Sequence, residues 1–288
     1  MQNFKGGVAV VTGGASGIGL AMAKRFAAEG MKIAIGDVEK TALDEVVDDF
    51  TTAGVDVLGF ALDVSDGAQM QAFADAVVER FGGVNIFCNN AGVGGGGLSW
   101  ETPIETWEWT LGVNLWGVIH GVRSFVPLLL LQPEAHIVNT ASVAGLFAGP
   151  MMGAYNASKH AVVAISETLH HEFAMLGATP KVSVLCPGWV NTGIADSERN
   201  RPDHLVVAGE STPEAEAQAA PIRAMLQQVI STGMDPAVVA QQVFEAVRDE
   251  QFWIQTHATA DGDKWMQAVN SRLDSARDRT NPVLTMLL

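Results

Sequence analysis

The chain has 288 residues, 48% of them hydrophobic and 17% charged, enough to bury a sizeable core in one large domain or two small ones and too few charges for a disordered chain. Its 17 Lys and Arg face 32 Asp and Glu, a formal charge of -15, so nucleic acid and anionic membrane surfaces would repel it. Cys88 and Cys186 lie in the apolar runs I-F-C-N and V-L-C-P, as buried free thiols of a reducing compartment would.

The N-terminus runs straight into a strand without a secretory h-region, and P-L-L-L-L at 127–131 is too short to span a bilayer, so the expectation is a cytoplasmic protein. Apolar runs at 8–12, 32–36, 57–62, 84–88, 136–140, 182–186 and 252–256 read as strands. Between them lie segments of helical period, such as A-M-A-K-R-F-A-A-E-G at 21–30 with its glycine stop. Continuous apolar strands separated by helices predict an α/β fold: a doubly wound, parallel, seven-stranded sheet with helices on both faces, in a single domain. Residues 5–190 form the expected core. A polar, Ala-rich insert at 191–234 interrupts the rhythm, and loops of that length in a compact domain are usually lids or disordered. The last helix, last strand and a helical tail fill 235–288.

After the first strand comes T-G-G-A-S-G-I-G, residues 12–19. A glycine-rich turn opening a helix lets backbone N–H groups approach a pyrophosphate at the positive helix end, and Gly13, Gly17 and Gly19 carry no Cβ to block it. Alone, this spacing fits an ordinary strand-to-helix turn as well. About 20 residues on, Asp37 ends the second strand, where a carboxylate accepts from an adenosine ribose and repels a 2′-phosphate. Neither Ser16 nor Val38 supplies a cation for such a phosphate, so the expected cofactor is NAD rather than NADP.

Twelve phenylalanines and seven tryptophans provide aromatic bulk, yet the chain keeps one tyrosine, Tyr155, in G-A-Y-N-A-S-K-H-A-V. Lys159 follows by four residues, which on a helix puts the two on one face with Cβ atoms about 5–6 Å apart. A unit charge about 6 Å away, at an effective dielectric near 20, is worth roughly 3 kcal/mol, about two pKa units. The expectation is a phenol acidic enough to exchange protons with an alcohol or ketone oxygen. Ser142 sits at a strand's carboxyl edge, able to donate to a developing oxyanion. Asn114 lies inside a long apolar helix, and water leading toward Lys159 would satisfy its amide.

T-G-G-A-S-G-I-G, D-V at 63–64, N-N-A-G at 89–92, Asn114, Ser142, Y-N-A-S-K and P-G-W-V-N-T at 187–192 together resemble the short-chain dehydrogenase/reductase family, over about residues 5–195. The resemblance implies a Rossmann-type fold with Tyr155 as general acid/base, Lys159 binding the nicotinamide ribose, Ser142 orienting the carbonyl or alcohol, and Asn114 holding a relay water. It implies that Gly13, Ser16, Gly17, Ile18 and Gly19 cradle the dinucleotide beside Asp37. Asp63 and Val64 would flank the adenine, Asn90 and Gly92 line the cleft, and Val190 and Thr192 contact the carboxamide. It also implies a homodimer on the Asn114 and Tyr155 helices, often doubled to a homotetramer. No His/Cys/Asp cluster shows metal-ligand spacing, so no metal is expected.

The functional expectation is an NAD-dependent oxidoreductase interconverting a secondary alcohol and a ketone. Apolar and small candidates for the pocket (93–100, Val143, Ala144, 149–152, Trp189 and the insert) point to a hydrophobic or aromatic substrate. Two other readings stay open: an inactive NAD-binding sensor or scaffold of the same fold, and an epimerase or dehydratase that returns the hydride.

Overall fold

The apolar runs form seven strands within a residue or two of the expected bounds: β1 (Val8–Thr12), β2 (Lys32–Asp37), β3 (Val57–Ala61), β4 (Ile86–Asn89), β5 (His136–Thr140), β6 (Lys181–Cys186) and β7 (Trp253–Gln255). In the computed structural model every pairing is parallel and the order is β3-β2-β1-β4-β5-β6-β7. The structure describes residues 1–206, 213–257 and 264–283. Parts of the expected insert (207–212) and tail (258–263 and 284–288) lie outside the described residues.

The helices are α1 (Gly17–Ala28), α2 (Lys40–Thr52), α3 (Gly67–Phe81), α4 (Ile104–Leu111), α5 (Gly117–Leu129), α6 (Gly153–Leu176), α7 (Pro213–Ser231), α8 (Pro236–Asp249) and α9 (Lys264–Asp278). Strand alternation deals the core to two sides. Ala9 and Val11 of β1 pack with Met22 and Phe26 of α1, Leu43 of α2 and Val243 of α8. Val8 and Val10 point the other way, to Phe73 of α3, Phe125 of α5 and Leu169 of α6. Each such phenylalanine is fully buried or nearly so, and truncating one to Ala costs about 3–5 kcal/mol.

Caps set the helix ends. Asp66 accepts from the N–H groups of Ala68 and Gln69 to start α3, and Asp235 accepts from Ala237 to start α8. One element departs from expectation: the helix carrying Asn114 is not uniformly α. Residues Gly112–Trp116 make one π turn between α4 and α5, and such turns recur at functional sites.

Because β1 leads outward to β2 on one side and β4 opens the other half, the strand order reverses between them, and the crevice above their carboxyl ends is where such sheets bind ligands. No helix among the described residues is long and apolar enough to cross a membrane. Ile104 of α4, Trp116, Leu130 and Leu131 at the end of α5, and Met175 and Leu176 of α6 stay exposed.

Candidate active site

The glycine turn sits directly above β1. Gly13 (φ +63) and Gly17 (φ +52) occupy left-handed backbone, where an L side chain is strained. A Cβ on Gly13 would come within 2.9 Å of Ala91 Cα, and one on Gly19 within 2.0 Å of the Gly13 carbonyl oxygen. The turn is therefore pressed against the β4 loop, with the first N–H groups of α1 facing the cleft. Ser16, the extended N-cap, uses its hydroxyl for no cap bond and so keeps it for a ligand.

Asp37 is buried at the cleft wall, its Oδ2 accepting from Ala15 N–H at 2.9 Å and its Oδ1 from Glu39 N–H at 3.0 Å. Burial raises its pKa, while the Glu39 and Ala15 backbone donors pull it back. Asp63 gives one carboxylate oxygen to the Ser65 N–H (2.9 Å) and hydroxyl (2.7 Å), and Val64 fills the space beside Gly117. Gly13, Ser16, Gly17, Ile18, Gly19, Asp37, Asp63, Val64, Asn90, Gly92, Tyr155, Lys159 and Thr192 all line this one cleft. A cradle without Cβ atoms at a helix N-terminus, facing an acidic strand end, fits a dinucleotide.

Asn90 does more than line the wall. Its side-chain amide donates to the carbonyl oxygens of Thr12 (3.0 Å) and Gly13 (3.4 Å) and accepts from the Thr140 hydroxyl (3.1 Å), tying the ends of β1 and β5 together. Val190 is drawn into the core under the sheet, with a backbone bridge to Met234, and leaves only its main chain for a coenzyme. Thr192 instead meets the turn: a Cβ on Gly17 would lie 3.1 Å from its Cγ2.

At the far end of the cleft, Ser142 caps a short 3-10 turn, accepting from Ala144 N–H at 3.1 Å and donating to Pro187 O at 3.4 Å. Its hydroxyl also hydrogen-bonds Tyr155. Lys159 is buried, and Nζ donates to the Thr140 carbonyl at 3.0 Å. The ammonium lies 5.6 Å from the centre of the phenol ring, over its face. Burial lifts the phenol above its usual pKa, with only the Ser142 hydrogen bond opposing it. Burial also lowers Lys159 from 10.5 to about 8. Desolvation thus pushes both groups toward their neutral forms.

The amide of Asn114 has protein partners. Its Oδ1 accepts from Val93 N–H at 2.8 Å, and its Nδ2 donates to Val93 O at 2.9 Å and to Ser158 Oγ at 3.4 Å. Ser158 in turn donates to Tyr155 O at 2.7 Å, so the π turn, the loop after β4 and the helix bearing Tyr155 are locked together. The amide is nonetheless close to the lysine: a Cβ on Gly92 would lie 3.3 Å from Asn114 Oδ1 and 3.4 Å from Lys159 Nζ.

Sequence reading assigned no role to Thr12, Ser158 and Pro187, although quoted motifs contain them, nor to Thr140; they act through backbone carbonyls or hydroxyls. It left the tail's role open. The structure packs Trp265 of α9 on Phe147, ring centroids 5.9 Å apart, in a cluster with Val143, Met152 and Trp189.

The sequence pattern described as short chain dehydrogenase matches residues 7–203. The chain belongs to the short chain dehydrogenase family. It is 32% identical over 258 residues to a CLA biosynthesis dehydrogenase/reductase from Lactiplantibacillus plantarum, covering 89% of this chain and 90% of that one. It is 40% identical over 187 residues to a 1-deoxy-11-beta-hydroxypentalenate dehydrogenase from Streptomyces exfoliatus, covering 64% and 67%. A crystal structure of a short chain dehydrogenase/reductase from Burkholderia phymatum, in complex with NAD, superposes with a TM-score of 0.92 at 45% identity over the whole of both chains. This family member is an oxidoreductase with the Rossmann-type fold.

Proposed function

We propose that this dehydrogenase uses NAD to interconvert a secondary alcohol and a ketone on a hydrophobic or aromatic molecule. The observation that carries the reading is the convergence of Tyr155, Lys159 and the glycine turn on one cleft, with Ser142 hydrogen-bonded to the phenol. The NAD-bound Burkholderia relative and the buried Asp37 both support NAD over NADP, since a 2′-phosphate beside that carboxylate would be repelled. The bound dinucleotide supplies the two-electron hydride chemistry.

The chain's own residues handle the proton and the position. Tyr155 takes the proton from the alcohol oxygen during oxidation and returns it during reduction. Ser142 donates to the same oxygen as charge develops there. Lys159, anchored on Thr140, holds the nicotinamide ribose and offers the phenol a nearby cation. Asn114 pins Val93 and leaves the space beside Gly92 and Lys159 as the outlet for a relay water. Asp63 and Val64 would flank the adenine, and the main chain of Val190 with Thr192 would meet the carboxamide.

The apolar packing of Val143, Phe147, Met152, Trp189 and Trp265 supports an apolar substrate beside it, and the 191–234 segment is assigned as the lid. The apolar side chains exposed on α4, α5 and α6 support a homodimer through those helices, paired further into a tetramer. The purified protein should reduce NAD with apolar secondary alcohols, followed by absorbance of the reduced nicotinamide. Turnover only with charged or sugar alcohols, or higher kcat/KM with NADP, contradicts the proposal. Sedimentation as a monomer at micromolar concentration contradicts the assembly.

A further inference from the structure

The best-connected charged cluster at the cleft mouth has no part in the chemistry above. Glu39, two residues past Asp37, accepts at Oε1 from Arg199 NH2 (2.5 Å) and from Asn200 Nδ2 (2.9 Å), reaching 160 residues along the chain. The other arm of Arg199 donates to the carbonyls of Gly193 (3.1 Å) and Asp196 (2.8 Å), so one guanidinium both folds the Gly193–Asn200 turn and moors it. The opposite bank is moored as well. Ser197 Oγ accepts from Gly94 N–H at 3.0 Å, and Arg201 lies over the Trp109 ring at 4.9 Å while donating to Thr106 Oγ1 at 3.0 Å. Glu39, Trp109, Ser197, Arg199 and Asn200 line the same cleft as Gly17 and Asp37.

Resting on the proposed NAD cleft, we infer that Glu39 is the clasp of a strap, residues 193–201, which closes over the adenosine end of the coenzyme and governs both its release and its kind. The strap crosses from the Asp37 side of the cleft to the α4 side, so a dinucleotide beneath it leaves only when one mooring opens. The Glu39 mooring is the weaker, because its ion pair is part-exposed, at 41% and 31% for the two side chains. An exposed pair alone contributes little. This one shares its carboxylate oxygen with Asn200, and its arginine is already held by two carbonyls, which reduces the entropy lost in closing. The contact also fixes coenzyme choice by a second route. Arg199 reaches Glu39, two residues past Asp37, where a cation would grip a ribose 2′-phosphate, and Glu39 occupies it. NADP would have to break the clasp to be held.

The test compares wild type with Glu39→Gln, with Arg199→Gln and with the charge swap Glu39→Arg combined with Arg199→Glu. Amide hydrogen exchange of residues 193–201 is read without ligand. NADH release is read by stopped-flow fluorescence, and Kd is measured for NADH and NADPH. Both single variants should expose the strap and speed NADH release, on the order of fivefold for a pair of this exposure. Only Glu39→Gln should lower the ratio of NADPH to NADH Kd, since it alone frees Arg199. The charge swap remakes the pair but not the bonds to the Gly193 and Asp196 carbonyls, so it should restore strap protection in part. Wild-type exchange and wild-type NADH release in both single variants overturn the inference while leaving the NAD reading intact. A wild-type protein that takes up neither dinucleotide overturns both.

Discussion

Lys159 and Asn114 are held by main-chain groups, the Thr140 carbonyl and the N–H and C=O of Val93, whereas the strap at 193–201 is held mainly through side chains, among them the part-exposed Arg199–Glu39 pair. Backbone partners at the carboxyl ends of β4 and β5 cannot move without disturbing the sheet. Side-chain moorings can part at a cost near thermal energy. On the proposed reading the molecule separates precision from access: the groups assigned to the proton stand on rigid elements, and the contacts assigned to admission are ones that make and break easily.

Four changes probe that division. Lys159→Met removes the buried ammonium but keeps most of its volume, and turnover should fall by about 100- to 1,000-fold, the loss typical of one electrostatic contact to a reacting group. Steady-state kinetics with the fold checked by circular dichroism measures this. A loss smaller than tenfold would mean the lysine is structural. Gly19→Ala places a Cβ on the Gly13 carbonyl, so the turn must shift. Dinucleotide affinity should drop by roughly tenfold or more with little change in helix content, and unchanged affinity in a titration refutes the cradle.

Asn114→Ala strands the Val93 N–H and C=O in a buried site, which should cost about 2–4 kcal/mol of stability. Thermal unfolding reads this, and an unaltered Tm would show that the π turn stands without its amide. The smallest expected effect is one of pH. Lys159 titrates at about 8 when folded, below its ordinary 10.5. Its charge is present below about pH 8 and lost above it, so NADH affinity should weaken severalfold as pH rises through that value. Between about 8 and 10.5 the unfolded chain binds the proton and the folded one does not, so stability rises with pH there. Lys159→Met should flatten both trends, and a wild-type affinity independent of pH would exclude the ammonium from coenzyme binding.

What could be read from the sequence follows the same division. The strands, the glycine turn and the Tyr155–Lys159 spacing are local signals, legible because hydrophobic period, backbone freedom and helix geometry act over a few residues. Contacts made across the fold were not legible. Nothing near Glu39 announces Arg199, and nothing near Asn114 announces Val93 or the π turn. Spacing reveals the lysine's distance along the helix but not how deeply both groups are buried. The packing of Trp265 was missed because its partner, Phe147, lies more than 100 residues earlier.

The central claim is that the lone phenol handles the proton in a cleft that binds the dinucleotide without its help. Tyr155→Phe tests it when NADH affinity by fluorescence titration and turnover of an apolar secondary alcohol are measured on the same preparation. The account predicts unchanged NADH affinity with turnover reduced at least about a hundredfold. Retained turnover in this variant would contradict it.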